Sequence, residues 1–285
     1  MTLLSILAAL LVERFLGHLQ ELRRFDGFLG FAEWVRERFH GELWEGPLGV
    51  LVVLAVPVAV TGLLQHWLSQ WLFGLPGLAF AIVVLLYCLG PRDLAADAES
   101  YQDAADSADD NLARRAADRL LDGPQPADAD ERHGAVLDGV LQGANTRLFA
   151  VLFWFVVLGP MGAVLYRCTV ELQAHSGQEG FAEAVRSFHA LLAWLPAWLV
   201  AAGFAVSGDF EGAVTRWREG RHSRARRFAQ PPAGIVVDAG RGALGLDPEG
   251  GVPLETVGVA MGLVWRTLAV WVFVIALFTL AGWAA

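Results

Sequence analysis

Residues 48–69 read LGVLVVLAVPVAVTGLLQHWLS, a run that contains no Asp, Glu, Lys or Arg. An α-helix rises about 1.5 Å per residue, so roughly 20 apolar residues cross the hydrocarbon core of a bilayer. The run therefore predicts a transmembrane helix. It also decides the fold class, because a segment inside lipid must satisfy its backbone hydrogen bonds internally, and a helix does so.

Five more apolar segments accompany this run, and three of them are long enough to span a membrane. The two shorter segments are interrupted: the first carries Glu13 and Arg14, and the fifth carries Pro196. We interpret both as membrane helices shielded by their neighbours; an interfacial or re-entrant helix is the alternative. The predicted spans are residues 2–16, 48–69, 71–90, 148–166, 189–206 and 265–283.

The composition agrees with a membrane protein. The chain is 55% hydrophobic and 18% charged, whereas a soluble domain is about 45–50% apolar and about 25% charged. This excludes a disordered chain and argues against a soluble enzyme. The net charge of −9 argues against nucleic-acid binding, which needs a basic surface. The sequence predicts an all-α polytopic helical membrane protein, a single membrane domain over residues 1–285 with helical cytoplasmic loops, partnered by the lipid bilayer.

The distribution of Arg predicts the orientation, because positive residues stay on the cytoplasmic side of a membrane. With the N-terminus outside, the cytoplasmic loops are residues 17–47, 91–145 and 208–260, and they hold 16 of the 21 Arg. The outer connections hold two, Arg167 and Arg186. We therefore expect a multi-pass protein of the bacterial inner (cytoplasmic) membrane, with both large loops in the cytoplasm.

The two large loops differ in charge. Loop 91–145 holds 13 acidic residues and five Arg; clustered carboxylates can bind Mg²⁺, but without regular ligand spacing we favour a solvated helical face. Loop 208–260 begins with a run of Arg that suits anionic lipid head groups, with recognition of a substrate phosphate as the alternative. We predict no metal site, since the seven His lack ligand spacing, and no catalytic residue.

A glycine motif lies in the second of these loops. Residues 240–245 read GRGALG, a literal Gly-x-Gly-x-x-Gly preceded by the apolar residues 235–237. Dinucleotide sites need this pattern between a strand and a helix, but Asp247 and Pro248 interrupt any helix that would follow. We interpret the motif as a loop that forms part of the fold.

Polar residues inside or beside the spans are the candidate site. Charges in a membrane are costly, so they pair with one another or line a cavity. We predict a cytoplasm-facing polar pocket on this basis, with a purely structural ion pair as the alternative. The predicted pocket residues are Glu13, Arg14, Asn145, Arg147 and Arg266.

The stretch from Asn145 to Arg167 carries a family resemblance. With Leu195–Trp198, Ser207–Phe210 and Gly242–Gly245, it is similar to the signature of the CobD/CbiB–AmpE membrane superfamily, and the opening LVERF at residues 11–15 resembles AmpE in particular. The matches cover most of the chain. The signature residues are Phe153, Trp154, Gly159, Pro160, Gly162, Tyr166, Arg167, Pro196, Gly208 and Asp209.

The resemblance implies one of two functions. CobD/CbiB proteins attach an aminopropanol unit to a corrinoid carboxylate with ATP and Mg²⁺, whereas AmpE proteins are inner-membrane modulators linked to β-lactamase induction and cell-wall recycling. This chain lacks the His-Pro-Val-like and Ser-Arg-Asp-type segments of the first branch, and it has Trp198 where that branch has Arg.

We therefore expect an AmpE-like, non-catalytic regulator without a cofactor, which responds to a cell-wall-derived ligand or a protein partner. The first alternative is a CobD/CbiB-like corrinoid amide ligase that uses ATP and Mg²⁺. A transporter is a third class, since Pro57, Pro160 and Pro196 could break helices, although no inverted repeat is evident.

Overall fold

The computed structural model describes ten stretches of the chain, and every regular element within them is a helix. This confirms the predicted all-α class. The chain divides into two compact units, unit 1 (Met1–Pro91, Ala150–Ala193 and Ala276–Ala285) and unit 2 (Arg92–Phe149 and Trp194–Ile275). The described residues are 2–15, 25–38, 46–70, 74–89, 93–107, 109–121, 123–176, 179–223, 232–247 and 250–281.

Four helices are long and apolar enough to cross a membrane, which makes this a membrane protein. Large apolar side chains on their outer faces are solvent-accessible in the isolated chain, for example Leu63 (70%) and Phe273 (64%), as expected of a surface that meets lipid. Two further apolar helices are shorter than a full span and coincide with predicted spans one and three. The four long helices are Pro47–Ser69, Ala129–Leu158, Gly180–Ser207 and Glu255–Leu280.

Unit 1 is built around an apolar core between four helices. It contains α1 (Thr2–Phe15), α2 (Asp26–Arg38), α3 (Pro47–Ser69), α4 (Leu75–Cys88), α8 (Ala150–Leu158), α9 (Pro160–His175) and the start of α10 (Glu179–Ser207). Helices α2, α3, α9 and α10 supply the core, so burial of their apolar faces holds the unit together. The buried core residues are Ala32, Val35, Val50, Val53, Leu54, Cys168, Leu172, Phe181 and Val185.

The fourth apolar segment differs from its prediction. The stretch 148–166 is divided at Gly159, where α8 ends and α9 begins. Gly159 has φ 68° and ψ −154°, a conformation that only glycine adopts readily, and Pro160 occupies the first turn of α9, where its missing N–H costs nothing. The long apolar helix here instead starts earlier, at Ala129.

The beginnings of α3 and α10 lie side by side in unit 1. A groove of about 460 Å³ is lined by Gly46 and Pro47 on one side and by Gly180, Glu183 and Ala184 on the other. Strict alternation of six spans would start the second and fifth spans on opposite sides. Helix α10 starts ten residues before the predicted span at 189, but the groove also reaches Leu191 inside that span, so the adjacent starts of α3 and α10 do not agree with strict alternation of the spans. The side of the membrane on which each loop lies stays a prediction.

Unit 2 contains the helices of both large loops. These are α5 (Leu94–Asp106), α6 (Asp110–Ala117), α7 (Ala129–Ala144), a π turn (Asn145–Phe149), the end of α10, α11 (Phe210–Ser223), α12 (Pro232–Ala243) and most of α13 (Glu255–Leu280). Each helix of the acidic loop begins at an Asp that accepts a backbone N–H: Asp93 from Ala95 at 2.9 Å, and Asp109 and Asp128 in the same way. Part of the acidic charge therefore caps helices.

The glycine motif lies in the last turn of α12 rather than in a loop. Gly242 packs against the backbone of Gly212 and Ala213 in α11, and Gly208 packs against Ala243. Gly245, with φ 67°, ends the helix. The glycines serve close helix packing, which agrees with a role in the fold.

Candidate functional site

The π turn at Asn145–Phe149 is the centre of the candidate site. A π turn inserts one residue into an α-helix, is rare, and occurs often at functional positions. Arg147, in the middle of the turn, donates from Nη1 to Asp97 Oδ2 at 3.2 Å and from Nη2 to the Arg119 carbonyl at 3.0 Å. The Asp97 side chain is 8% exposed, so this ion pair is largely withdrawn from water.

An aromatic cluster fixes how three helices of unit 2 meet at the π turn. The Phe149 ring lies 6.4 Å from that of Phe204 in α10 and 5.2 Å from that of Trp271 in α13. Gly203 faces Thr267 and Trp271, with a Cβ-to-Cγ2 distance of 2.6 Å if it carried a Cβ. A larger residue than glycine would push α10 away from α13.

Three buried side-chain oxygens on these helices have no hydrogen-bond partner among the residues that the structure describes. They are Asn145 Oδ1, Ser207 Oγ and Thr267 Oγ1. Asn145 precedes Phe149 by four residues and Thr267 precedes Trp271 by four. Helix α10 is antiparallel to α7, because Gly208 contacts Ala243 of α12 while Gly240 of that helix contacts Leu141.

Ser207 follows Phe204 by three residues in α10. We call Asn145, Ser207 and Thr267 the polar layer. Buried polar atoms are almost always paired, so a layer of orphaned oxygens indicates a place for water or for a polar group of a ligand.

The predicted pocket residues fall in different places. Asn145 belongs to the polar layer, whereas Arg147 is held by Asp97. Arg266 is exposed, and its Nε donates to the Gly262 carbonyl of its own helix at 3.3 Å. The side chains of Glu13 and Arg14 lie outside the described residues. The pocket as a whole stays a prediction.

Three residues of the site were missed by sequence reasoning. Asp97 is one of seven acidic residues between positions 93 and 110, and only its burial distinguishes it from the others. Ser207 is the last residue of the apolar helix α10, and Thr267 is a neutral residue in the middle of α13. Their signal is weak: each lies about one turn from an aromatic residue at which two helices meet.

The signature residues in unit 1 make close contacts at the break between α8 and α9. Trp154 donates from Nε1 to the Leu192 carbonyl at 3.0 Å and packs edge-on against Phe153. A Cβ at Gly162 would lie 2.8 Å from the carbonyl carbon of Trp154.

The end of the signature in unit 1 is polar. Tyr166 lies 3.4 Å from His189, from its hydroxyl oxygen to Nε2. Arg167 is buried, pairs with Glu171 on the next turn of α9, and lies over the Phe25 ring. An aromatic ring and a carboxylate thus both stabilise the buried guanidinium.

The signature residues in unit 2 join α10 to α12. The Asp209 N–H donates to the Ala243 carbonyl at 2.9 Å, and its carboxylate accepts from the Glu211 N–H at 3.0 Å, which caps α11. Pro196 lies inside α10. Two residues on, the indole of Trp198 packs between Trp194 and Trp217, with ring centroids 5.9 and 4.6 Å away.

Four apolar helices long enough to cross a bilayer, with helices as the regular elements of every described stretch, define a polytopic helical membrane protein. The chain belongs to the AmpE family, because the family model described as "Regulatory signalling modulator protein AmpE" matches residues 1–284.

Curated relatives place this family beside CobD. The cobalamin biosynthesis protein CobD of Stutzerimonas stutzeri (strain A1501) is 31% identical, over 95% of this chain and 96% of the relative. CobD of Chromobacterium violaceum is 33% identical, over 85% and 80%. Protein AmpE of Shigella flexneri is 27% identical, over 99% of both chains. No solved structure matches significantly. The resemblance to a CobD/AmpE superfamily is confirmed.

Proposed function

We propose that this chain is a non-catalytic regulatory protein of the bacterial inner membrane, linked to β-lactamase induction and cell-wall recycling. It responds to a cell-wall-derived ligand or a protein partner. The observation that carries the proposal is the match of the AmpE family model to residues 1–284.

The surroundings of Trp198 support this branch over the CobD branch. The CobD/CbiB pattern resembled by the sequence has an Arg at this position, whereas here an indole fills an apolar site bounded by Ala201, Ile235 and Ala239. An unpaired guanidinium in such surroundings would pay a large desolvation penalty. Without that cation, phosphate chemistry at this position loses its charge partner.

The polar layer supports a ligand-responsive role. A ligand hydroxyl, amide or water chain that pairs with Asn145, Ser207 and Thr267 would remove the cost of three orphaned oxygens. Asn145 is itself the first residue of the π turn, so occupancy would act directly on that turn.

A gene deletion tests the function. We expect the deletion to change β-lactamase activity after β-lactam challenge in the source bacterium, and wild-type protein to restore it. Arg147→Ala should insert into the membrane and fail to restore the response. Arg115→Ala, a charge removed from the exposed face of α6, is the matched control. An unchanged response in the deletion strain would refute the proposal, and an active Arg147→Ala protein would refute the role of the site.

The polar layer has its own test in Thr267→Val. Valine keeps the shape and removes one orphaned oxygen, so the protein should be as stable as wild type or more so. A layer that binds ligand predicts a weaker response despite this unchanged or higher stability. A merely structural layer predicts a full response, and that result would count against ligand binding here.

The alternative is a CobD-like corrinoid amide ligase that uses ATP and Mg²⁺. It is favoured by identity alone, since the two CobD relatives are 31% and 33% identical and the AmpE relative 27%. Expression in a host that lacks CobD decides between the two. Restored cobalamin synthesis would replace the regulatory proposal, whereas continued dependence on added cobalamin, with the protein present in the membrane, would exclude the ligase.

A further inference from the structure

The groove between the starts of α3 and α10 changes from polar to apolar along its length. Its volume of about 460 Å³ lies within the range of small-molecule sites, about 300–1,000 Å³. Along α10 the lining passes from the carboxylate of Glu183, through Ala184 and the hydroxyl of Ser187, to the apolar walls Phe188 and Leu191. This lining suits an elongated amphiphilic molecule better than a compact polar one.

The groove lies where two membrane-spanning helices enter their apolar stretches. Gly46 and Pro47 line it at the start of α3, and the apolar run of that helix begins at the next residue, Leu48. On α10 the last lining residue is Leu191, which is 70% exposed, as expected of a side chain that meets lipid. An acyl chain can therefore enter the groove from the bilayer, with its head group at the polar end.

Two opposite charges beside the polar end of the groove form no ion pair within the part of the chain that the structure describes. Glu183 and Arg186 are both exposed, and their spacing of three residues makes them neighbours on the surface of α10. The Arg186 Nε donates to the Ala182 carbonyl of its own helix at 3.3 Å, which leaves its two terminal nitrogens for a ligand. A carboxylate next to a guanidinium matches a zwitterionic head group, in which an ammonium and a phosphate are joined by a short linker.

We infer that this groove binds a phospholipid with a primary-amine head group. The ammonium donates to Glu183, the phosphate accepts from Arg186, and an acyl chain lies against Phe188 and Leu191. The observation that carries the inference is that two opposite charges adjoin an apolar groove at the start of two spans. The site belongs to unit 1, is separate from the polar layer, and does not depend on the proposed function.

The test is native mass spectrometry of the delipidated full-length protein, titrated with three lipids that have identical acyl chains. Phosphatidylethanolamine carries the primary amine, phosphatidylcholine replaces its N–H donors with methyl groups, and phosphatidylglycerol has no amine. Because the charged groups are exposed, we expect phosphatidylethanolamine to bind roughly two- to fivefold more tightly than the other two. Equal affinities would overturn the inference, and so would a dimer without bound lipid, since a second copy of the chain would then cover the groove.

The variants separate the parts of the lipid. Glu183→Gln keeps the shape of the side chain and should remove the preference for the primary amine, whereas Arg186→Gln should weaken the binding of all three lipids, because each has a phosphate. Ser187→Phe, at an exposed lining position, should fill the groove and weaken all three, with SDS titration to show that the protein remains folded. Glu33→Gln, an exposed acid of α2 outside the groove lining, is the matched control and should change nothing. A full preference for phosphatidylethanolamine in Glu183→Gln would show the inference to be wrong.

Discussion

Gly242→Ala measures how closely α11 and α12 approach. A Cβ built on Gly242 lies 2.7 Å from Ala213 Cα and 2.8 Å from the Gly212 carbonyl carbon. Carbon atoms in contact prefer about 3.5–4.0 Å, so the two backbones must separate by roughly 1 Å. Neither atom belongs to a flexible side chain, and the strain cannot be relieved by a change of rotamer.

The magnitude follows from two opposing effects. Overpacking of this kind costs about 1–3 kcal/mol. Replacing a helical glycine with alanine returns at most about 1 kcal/mol. We therefore expect Gly242→Ala to lower the free energy of unfolding by about 1–2 kcal/mol, a factor of roughly 5–30 in the unfolding equilibrium.

The assay is equilibrium unfolding in mixed micelles, titrated with SDS and followed by far-ultraviolet circular dichroism. Gly262→Ala in α13 is the matched control, because no atom of the described residues lies within 4 Å of its added methyl group. That control should be as stable as wild type or slightly more stable. If Gly242→Ala unfolds at the same SDS concentration as the control, α11 and α12 are not in backbone contact and the reasoning fails.

Three more predictions follow from the same contacts. Arg147→Ala should lower the free energy of unfolding by about 3 kcal/mol, because it leaves Asp97 buried without its cation. Adding Asp97→Asn to this variant should recover part of the loss. SDS titration measures both variants, and losses that simply add would contradict the pairing. Gly159→Ala should cost about 1–3 kcal/mol through its positive φ, visible in the same titration, and a neutral result would contradict the break between α8 and α9. The hydrogen bond from Arg114 lowers the pKa of Asp110 below its ordinary value of 3.8. The ionised Asp110 therefore contributes stability at neutral pH, and this contribution is lost as the pH falls through the lowered pKa. Unfolding curves measured against pH should show this loss on the acid side, and the loss should be smaller in Arg114→Gln.

The fold class could be predicted because apolar runs longer than a bilayer is thick leave few alternatives to a helix. The break at Gly159 could not be singled out, since three Pro residues could each break a helix by sequence, and two of them, Pro57 and Pro196, lie inside continuous helices. The sequence predicts a helix over roughly residues 130–142 that leads into the fourth span, and the structure confirms its start at Ala129; that it continues into the span as one long helix was not predicted, for a related reason. Its first turns are polar and belong to a loop by composition, and only their packing in unit 2 makes them continuous with the apolar part.

The candidate site was predictable where a polar residue breaks an apolar pattern. Asn145 and Arg147 stand out at the edge of a span, and the structure places both in the π turn. Asp97 could not be chosen, because which acid of the run is buried depends on which face of α5 meets its neighbours. Thr267 could not be chosen either, since a single hydroxyl in a span is common and its importance lies in what the adjacent helices place beside it.

The Asp residues that begin α5, α6 and α7 stabilise the helices of the acidic loop through hydrogen bonds, for which their negative charge is not required. Asp93, Asp109 and Asp128 act as hydrogen-bond acceptors at their positions, a task that Ser, Thr or Asn performs nearly as well. A loop with Asn at these three positions would keep its helices and lose three negative charges. Exposed acids such as Asp103 could be neutralised as well. The electrostatic character of the loop is thus free to be redesigned, or to drift among homologues, without loss of the scaffold that positions Arg147.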